Sequence, residues 1–172
     1  RAYDLARAGE AVIGDLRYYH EARLDAFGSP LAQAQLGAAL ALYGDQTRSA
    51  EAFSAAIEKL ASVKDGRYRD DYGSKLRDTA GVLTLAAEFK PVGVNITALT
   101  VQLAKLRDRA KYTSTQEDSW TLLAAAALGQ AAADGTVTLN GETLTGSVYR
   151  RFEQQGFEPV EIANSGDTDS EM

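Results

Sequence analysis

Along residues 1 to about 133, apolar side chains recur every three or four positions, the spacing of one helix face; beyond them the pattern switches to alternation, the spacing of a strand. Arg1 to Arg7 reads as the end of a helix broken at Gly9, and Leu16 to Phe27 as a second, amphipathic helix. A third starts at Ser29-Pro30, where a capping serine precedes the residue best suited to the first helical position. It carries Leu36, Ala39, Leu40 and Tyr43 as its stripe and stops at Gly44. Asp45 caps a fourth, with Ala50, Phe53, Ile57 and Leu60 inward, and the polar stretch Ser62 to Tyr72 reads as a loop. Ser74 starts a fifth helix with Leu76, Ala80, Leu83 and Ala87 on one face, ended by Pro91 and Gly93. Asn95 caps a sixth with Ile96, Leu99, Leu103 and Leu106 inward.

The seventh helix has the clearest start. Ser114 and Glu117 have capping-box spacing, so each side chain can satisfy the other's backbone amide. Trp120, Leu123, Ala127 and Leu128 form its expected apolar face. At Asp134-Gly135 the period changes. Thr136-Val137-Thr138-Leu139 and Glu142-Thr143-Leu144-Thr145 flank Asn140-Gly141, and a two-residue type I′ turn needs φ > 0 at both of its positions. Further strand-like pieces cover Ser147 to Phe152 and Glu158 to Ala163, and the polar end from Asn164 to Met172 reads as a loop. The expected organisation is therefore a helical part, 1–133, and a β-segment, 134–172. A hairpin alone is marginal in water, so this β-segment requires a third strand or a helix face.

Composition narrows the class. Hydrophobic residues make up 45% of the 172, enough for a core, and aromatics only 8%, which with the abundance of Ala and Leu favours packed helices. The net charge of −6 sets aside nucleic acid and anionic membrane as partners. The sequence contains no cysteine, so disulfides, thiolate metal sites and a cysteine nucleophile are excluded from it. No apolar run approaches the roughly 20 residues of a membrane span. The first residues, Arg1-Ala2-Tyr3-Asp4-Leu5, carry neither an initiator Met nor a signal-peptide apolar region, and the chain reads as an excised segment.

Four stretches, in this order, carry a family likeness. They are Ile13-Gly14-Asp15-Leu16-Arg17-Tyr18-Tyr19 with Leu24-Asp25-Ala26-Phe27; Ser29-Pro30-Leu31-Ala32 running through Leu36 to Asp45; Asp71-Tyr72-Gly73-Ser74 with Leu76-Arg77-Asp78; and Ser114-Thr115-Gln116-Glu117 with Trp120 and the Ala/Leu run Leu122 to Leu128. Together they resemble the bacterial alpha-2-macroglobulin family, over essentially the whole chain. The resemblance implies a mainly α fold: a partial α/α-toroid of antiparallel helix pairs, the C-terminal part of a thioester-containing helical domain, followed by the start of a β-domain as a short hairpin segment. It also implies bait-and-trap inhibition of endopeptidases by a periplasmic parent, anchored as a lipoprotein and associated with a penicillin-binding protein, whose partners are proteases and the other domains of its own chain. The family's thioester motif needs a cysteine, which this chain lacks, so the motif is expected upstream and no catalytic residue carries over.

The remaining candidates read more plainly as structure than as chemistry. His20 has no second histidine or cysteine with which to hold a metal, and reads as a partly buried helix residue. Asp70-Asp71 lies beside Arg67 and Arg69 and reads as local ion pairing rather than acid/base machinery. Arg77-Asp78 reads as a pairing that fixes a helix start. Asn95-Ile96-Thr97 has the glycosylation pattern, but the capping role of Asn95 accounts for it. Asp167, Asp169 and Glu171 lack the sharp glycine turn of a calcium loop. There is no phosphate-binding glycine loop and no nucleophile elbow. No residue is assigned a catalytic, metal or cofactor role, and no cofactor is expected. The chain reads as a non-enzymatic scaffold segment of a protease trap. A tetratricopeptide-like interaction module is the alternative, suggested by Leu40 to Leu60, although no second copy of that unit occurs; a toroid glycan hydrolase or lyase is a third class without a visible acid/base pair.

Overall fold

The computed structural model describes residues 2–63, 71–133, 136–145 and 161–164. The fold is mainly α, and the chain separates into two compact units, residues 1–127 and 128–172. Seven α-helices are described: α1 (Ala2–Arg7), α2 (Ile13–Arg23), α3 (Pro30–Leu42), α4 (Gln46–Ser62), α5 (Lys75–Phe89), α6 (Ile96–Arg109) and α7 (Thr115–Ala133).

Local capping explains where these helices begin. The side chains of Ser29, Asp45, Ser74 and Asn95 each accept a hydrogen bond from the backbone amide three residues on, so α3, α4, α5 and α6 start at the residues their caps dictate. Helix α3 ends because Gly44 turns with φ +79° and lets the Asp45 amide reach back to the Leu40 carbonyl. Helix α2 departs from expectation. It starts at Ile13, three residues early, and ends at Arg23; Leu24–Ala26 form a separate 3₁₀ turn. That turn is fixed from outside, since Gln33 donates to the Leu24 carbonyl at 2.9 Å and Lys59 donates to the Phe27 carbonyl.

The core of the first unit is the packing of α3 against α4 and α5. Gly37 is what lets α3 and α4 meet, because a Cβ there would lie 2.8 Å from the Phe53 ring. Gly81 lets Leu31 lie against α5 in the same way. The stripes expected on α3 and α5 are buried, apart from half-buried Tyr43, but burial extends well beyond them. On α5 every residue from Leu76 to Ala87 is buried, and on α3 burial runs nearly all round, because each of these helices has neighbours on more than one side. On α4 the buried face is Ser49, Ala52, Phe53, Ala56 and Leu60; Ala50 and Ile57 fall on its flanks. On α6 Leu99 and Leu103 are buried, and Ile96 and Leu106 half-buried. On α7 Ala124 is buried, Trp120, Ala127 and Leu128 are half-buried, and Leu123, expected inward, is 49% exposed.

The second unit contains a three-stranded antiparallel sheet of order β2-β1-β3, with β1 Thr136–Leu139, β2 Glu142–Thr145 and β3 Ile162–Asn164. The turn between β1 and β2 has φ +49° at Asn140 and +82° at Gly141, the left-handed pair that the Asn-Gly sequence called for. Asn140 also holds the third strand: its amide donates to the Glu161 carbonyl and its side-chain oxygen accepts from the Glu161 amide, both at 2.8 Å. Of the expected strand-like pieces, Ser147 to Phe152 lies outside the described residues, and the second is described only from Glu161.

Candidate functional site

Two of the sequence stretches singled out above, around Ser74 and around Glu117, come together at one end of the helices, although 43 positions separate them. Each begins with its own cap. Ser74 Oγ accepts from the Arg77 amide at 3.1 Å and opens α5. Ser114 and Glu117 form the expected box at the start of α7: Glu117 Oε2 accepts from the Ser114 amide at 2.6 Å, and the Glu117 amide donates to Ser114 Oγ at 3.3 Å. The box uses one carboxylate oxygen. The other, Oε1, accepts a 2.5 Å hydrogen bond from the Ser74 hydroxyl, so a single carboxylate bridges the caps of two helices. Burial opposes the charged form of Glu117, but the Ser114 amide, the Ser74 hydroxyl and the positive Arg107 of α6 outweigh it and hold the carboxyl below its ordinary value.

Beneath this bridge lies Arg77, only 6% exposed. Its Nε and Nη2 both donate to Asp78 Oδ1, at 3.0 and 2.6 Å. Nη2 also donates to Asp71 Oδ2 at 2.8 Å, while Nη1 donates to the Asp71 carbonyl at 3.1 Å and to Gln116 Oε1 at 3.3 Å. One guanidinium therefore fastens the 71–74 turn, the first turn of α5 and the first turn of α7. Burial favours loss of its proton, but Asp78 and Asp71 reverse this and keep Arg77 above the ordinary arginine range. Asp78 is fully buried against this guanidinium. Gly73 completes the arrangement: a Cβ there would sit 2.2 Å from Arg77 Nη2, so the turn passes the guanidinium only because residue 73 has no side chain. The expected pairing of Arg77 with Asp78 at the helix start is thus present, and it extends to Asp71 and Gln116.

A second polar cluster joins α2 to the start of α4. Asp45 Oδ2 accepts from Arg17 at 2.8 Å and from Arg48 at 3.1 Å, and Arg48 Nη2 reaches Glu21 at 2.6 Å. The Arg17 bond has the largest effect on Asp45; burial opposes it, and the Arg48 amide and charge add to Arg17 to hold the carboxyl below its ordinary value. His20 lies beside this cluster. Its Nε2 is 3.2 Å from Glu51 Oε2, an ion-pair distance without hydrogen-bond alignment. Among the described residues no three His, Cys, Asp or Glu side chains converge as metal ligands. Asp70, Arg67 and Arg69 lie outside the described residues, as do Asp167, Asp169 and Glu171, while Asp71 pairs with Arg77. Asn95 caps α6 through the Ala98 amide at 2.8 Å.

The Ser74 hydroxyl and the Glu117 carboxylate are both taken up in helix caps. Both clusters join elements distant in sequence, and that is the chemistry of a brace. The sequence pointed to both halves of the Ser74–Glu117 bridge without pairing them; the available signal was that a capping-box glutamate has a second oxygen left to place.

No model of a known protein family matches the chain. Alpha-2-macroglobulin of Escherichia coli is 33% identical over 167 residues, 95% of this chain. Over nearly its whole length, this chain corresponds to a segment of bacterial alpha-2-macroglobulin. It spans about a tenth of the length of that relative, whose share of the match is 10%. Solved structures of bacterial alpha-2-macroglobulins have a similar fold over this stretch. The native Escherichia coli protein superposes with a TM-score of 0.66 at 32% identity, covering 95% of this chain and 10% of the other. Salmonella alpha-2-macroglobulin reacted with methylamine gives 0.66 at 31%, covering 96% and 11%. The trypsin-activated Escherichia coli protein gives 0.62 at 30%, covering 95% and 10%.

Proposed function

We propose that this chain is a non-catalytic scaffold segment of a bacterial alpha-2-macroglobulin-like protease trap, and that its role in the parent is to shield a thioester until a bait region is cut. Residues 1–133 correspond in this reading to the back half of a thioester-containing α/α-toroid, and 134–172 to the start of the β-domain that follows. The carrying observation is the likeness over about 95% of the chain to two relatives, the Escherichia coli protein in native and trypsin-activated forms and the Salmonella protein in a methylamine-reacted form. A primary amine attacks an activated acyl group, and a protease cuts an exposed segment; those are the two chemistries a thioester trap requires. Shielding demands helices that do not splay, and the Glu117 bridge and the buried Arg77 supply that. The partners in this reading are proteases, the other domains of the parent and a penicillin-binding protein, and the parent is periplasmic and lipid-anchored. Among the described residues no helix is long and apolar enough to cross a membrane.

The test uses the full-length parent, mixed with trypsin and run on a denaturing gel with and without methylamine pretreatment. A covalent protease adduct abolished by methylamine is expected. Bait cleavage without an adduct would remove the thioester from the reading, and neither cleavage nor inhibition would leave the helical interaction module as the better account.

A further inference from the structure

A hollow of about 340 Å³ opens between α5 and α6, lined by Lys75, Ala98, Val101, Gln102, Lys105, Leu106 and Arg109. Its chemistry differs from that of the chain around it. The sequence carries a net charge of −6, yet three cations and no carboxylate line this hollow among the described residues. Lys105 and Arg109 are one helical turn apart on α6, both exposed, and neither makes an ion pair among the described residues. Favourable placement near a helix C-terminus accounts for Arg109 by itself. It does not account for Lys75, which occupies the first position of α5, where the helix dipole repels a cation. Lys75 makes only a long bond, 3.4 Å, to the Val63 carbonyl. Between the cations lie the polar side chain of Gln102 and two apolar ones, Val101, 46% exposed, and Leu106, half-buried.

We infer that this α5–α6 groove binds an acidic peptide segment, with carboxylates against Lys75, Lys105 and Arg109 and an aliphatic side chain over Val101 and Leu106. Charge complementarity selects the class of occupant. Three cations on the ends of two helices can meet several carboxylates of one peptide, and Val101 and Leu106 offer its aliphatic side chains a contact that a compact anion cannot use. Lys75 of the groove directly follows Ser74, whose hydroxyl bridges to Glu117.

The experiment measures fluorescence anisotropy of a labelled peptide of alternating Glu and Leu against the 172-residue chain, at low and at raised ionic strength. Binding is expected, weakened by salt. K105E/R109E is expected to bind about tenfold more weakly or worse. K90E/R23E, with the same change in net charge at exposed sites away from the groove, is expected to bind as the parent does. Because reversal could disturb packing, K105Q/R109Q serves as a milder variant and is expected to fall between them, with circular dichroism confirming helix content. Absence of binding at low salt would overturn the inference, as would equal losses in the two reversal variants. Undiminished peptide binding to K105E/R109E would do the same, as would adsorption to anionic phospholipid vesicles that the peptide does not displace.

Discussion

Ser74 donates its hydroxyl proton to Glu117 across a 2.5 Å hydrogen bond, joining the first residues of two helices that share no local sequence. Each residue is already engaged in its own cap, so neither can be altered without touching both helices. Ser74→Ala and Glu117→Ala are each expected to destabilise the helical unit by about 1–2 kcal/mol. A double-mutant cycle by urea unfolding, followed by helix circular dichroism, is expected to give a coupling of about 1 kcal/mol. Strict additivity would mean that the bridge contributes nothing beyond two independent caps.

The guanidinium of Arg77 is the more severe site. Arg77→Met removes the guanidinium from buried Asp78 and from Asp71, and is expected to cost about 3–5 kcal/mol. Arg77→Lys is not a rescue, since an ammonium cannot span Asp78, Asp71 and Gln116 together. Thermal unfolding of the two variants checks this; a lysine variant as stable as the parent would show that the fork geometry is dispensable.

Glycines of equal simplicity in sequence have unequal roles in the fold. A Cβ at residue 73 meets the Arg77 guanidinium, whereas one at Gly28 meets nothing within 4 Å. Gly73→Ala is expected to destabilise by about 1–3 kcal/mol, and Gly28→Ala to be neutral or mildly stabilising. Midpoints of urea unfolding for the two variants separate these outcomes.

Acid acts through the same residues. Glu117 and Asp45 both titrate lower in the folded chain than their ordinary values of 4.5 and 3.8. The unfolded chain therefore binds more protons in acid. The stabilisation is complete above about pH 5 and is lost as pH falls through the ordinary values toward the lower folded ones. Melting temperatures recorded from about pH 7 to about pH 3 are expected to fall steeply at the acid end, and less steeply in an Asp45→Asn, Glu117→Gln variant. An unchanged acid limb would assign acid sensitivity to other carboxylates.

In the sheet, Asn140 serves both the turn and the third strand. Asn140→Ala loses a residue tolerant of φ > 0 and the acceptor for the Glu161 amide. Amide exchange at Glu161 is expected to accelerate, by more than in Thr143→Ala; equal effects would place the hold on β3 elsewhere.

How much of this was legible in the sequence depended on the range of the interaction. Ser29, Asp45, Ser74, Asn95 and the Ser114–Glu117 box were readable because a cap reaches only three residues. Asn140-Gly141 was readable because the turn's φ angles select its residues. The faces were less so. Ala50, Ile57 and Leu123 fit a helical period, but which side of a helix meets a neighbour depends on the neighbour. Both halves of the Ser74–Glu117 bridge were visible as separate stretches, but nothing local records that they meet. The likeness to bacterial alpha-2-macroglobulins, by contrast, was carried by the order of several stretches.

Helix α5 has no outside from Leu76 to Ala87. Even its hydroxyls are turned inward upon the helix, Thr79 donating to the Lys75 carbonyl and Thr84 to the Ala80 carbonyl. A helix with a wet side can drift through many sequences while its dry side stays fixed. This one has nowhere to drift, and a substitution at any of those positions is answered by a neighbouring helix. Room for change is to be found where helices keep an exposed side, as α4 and α6 do, and not along α5.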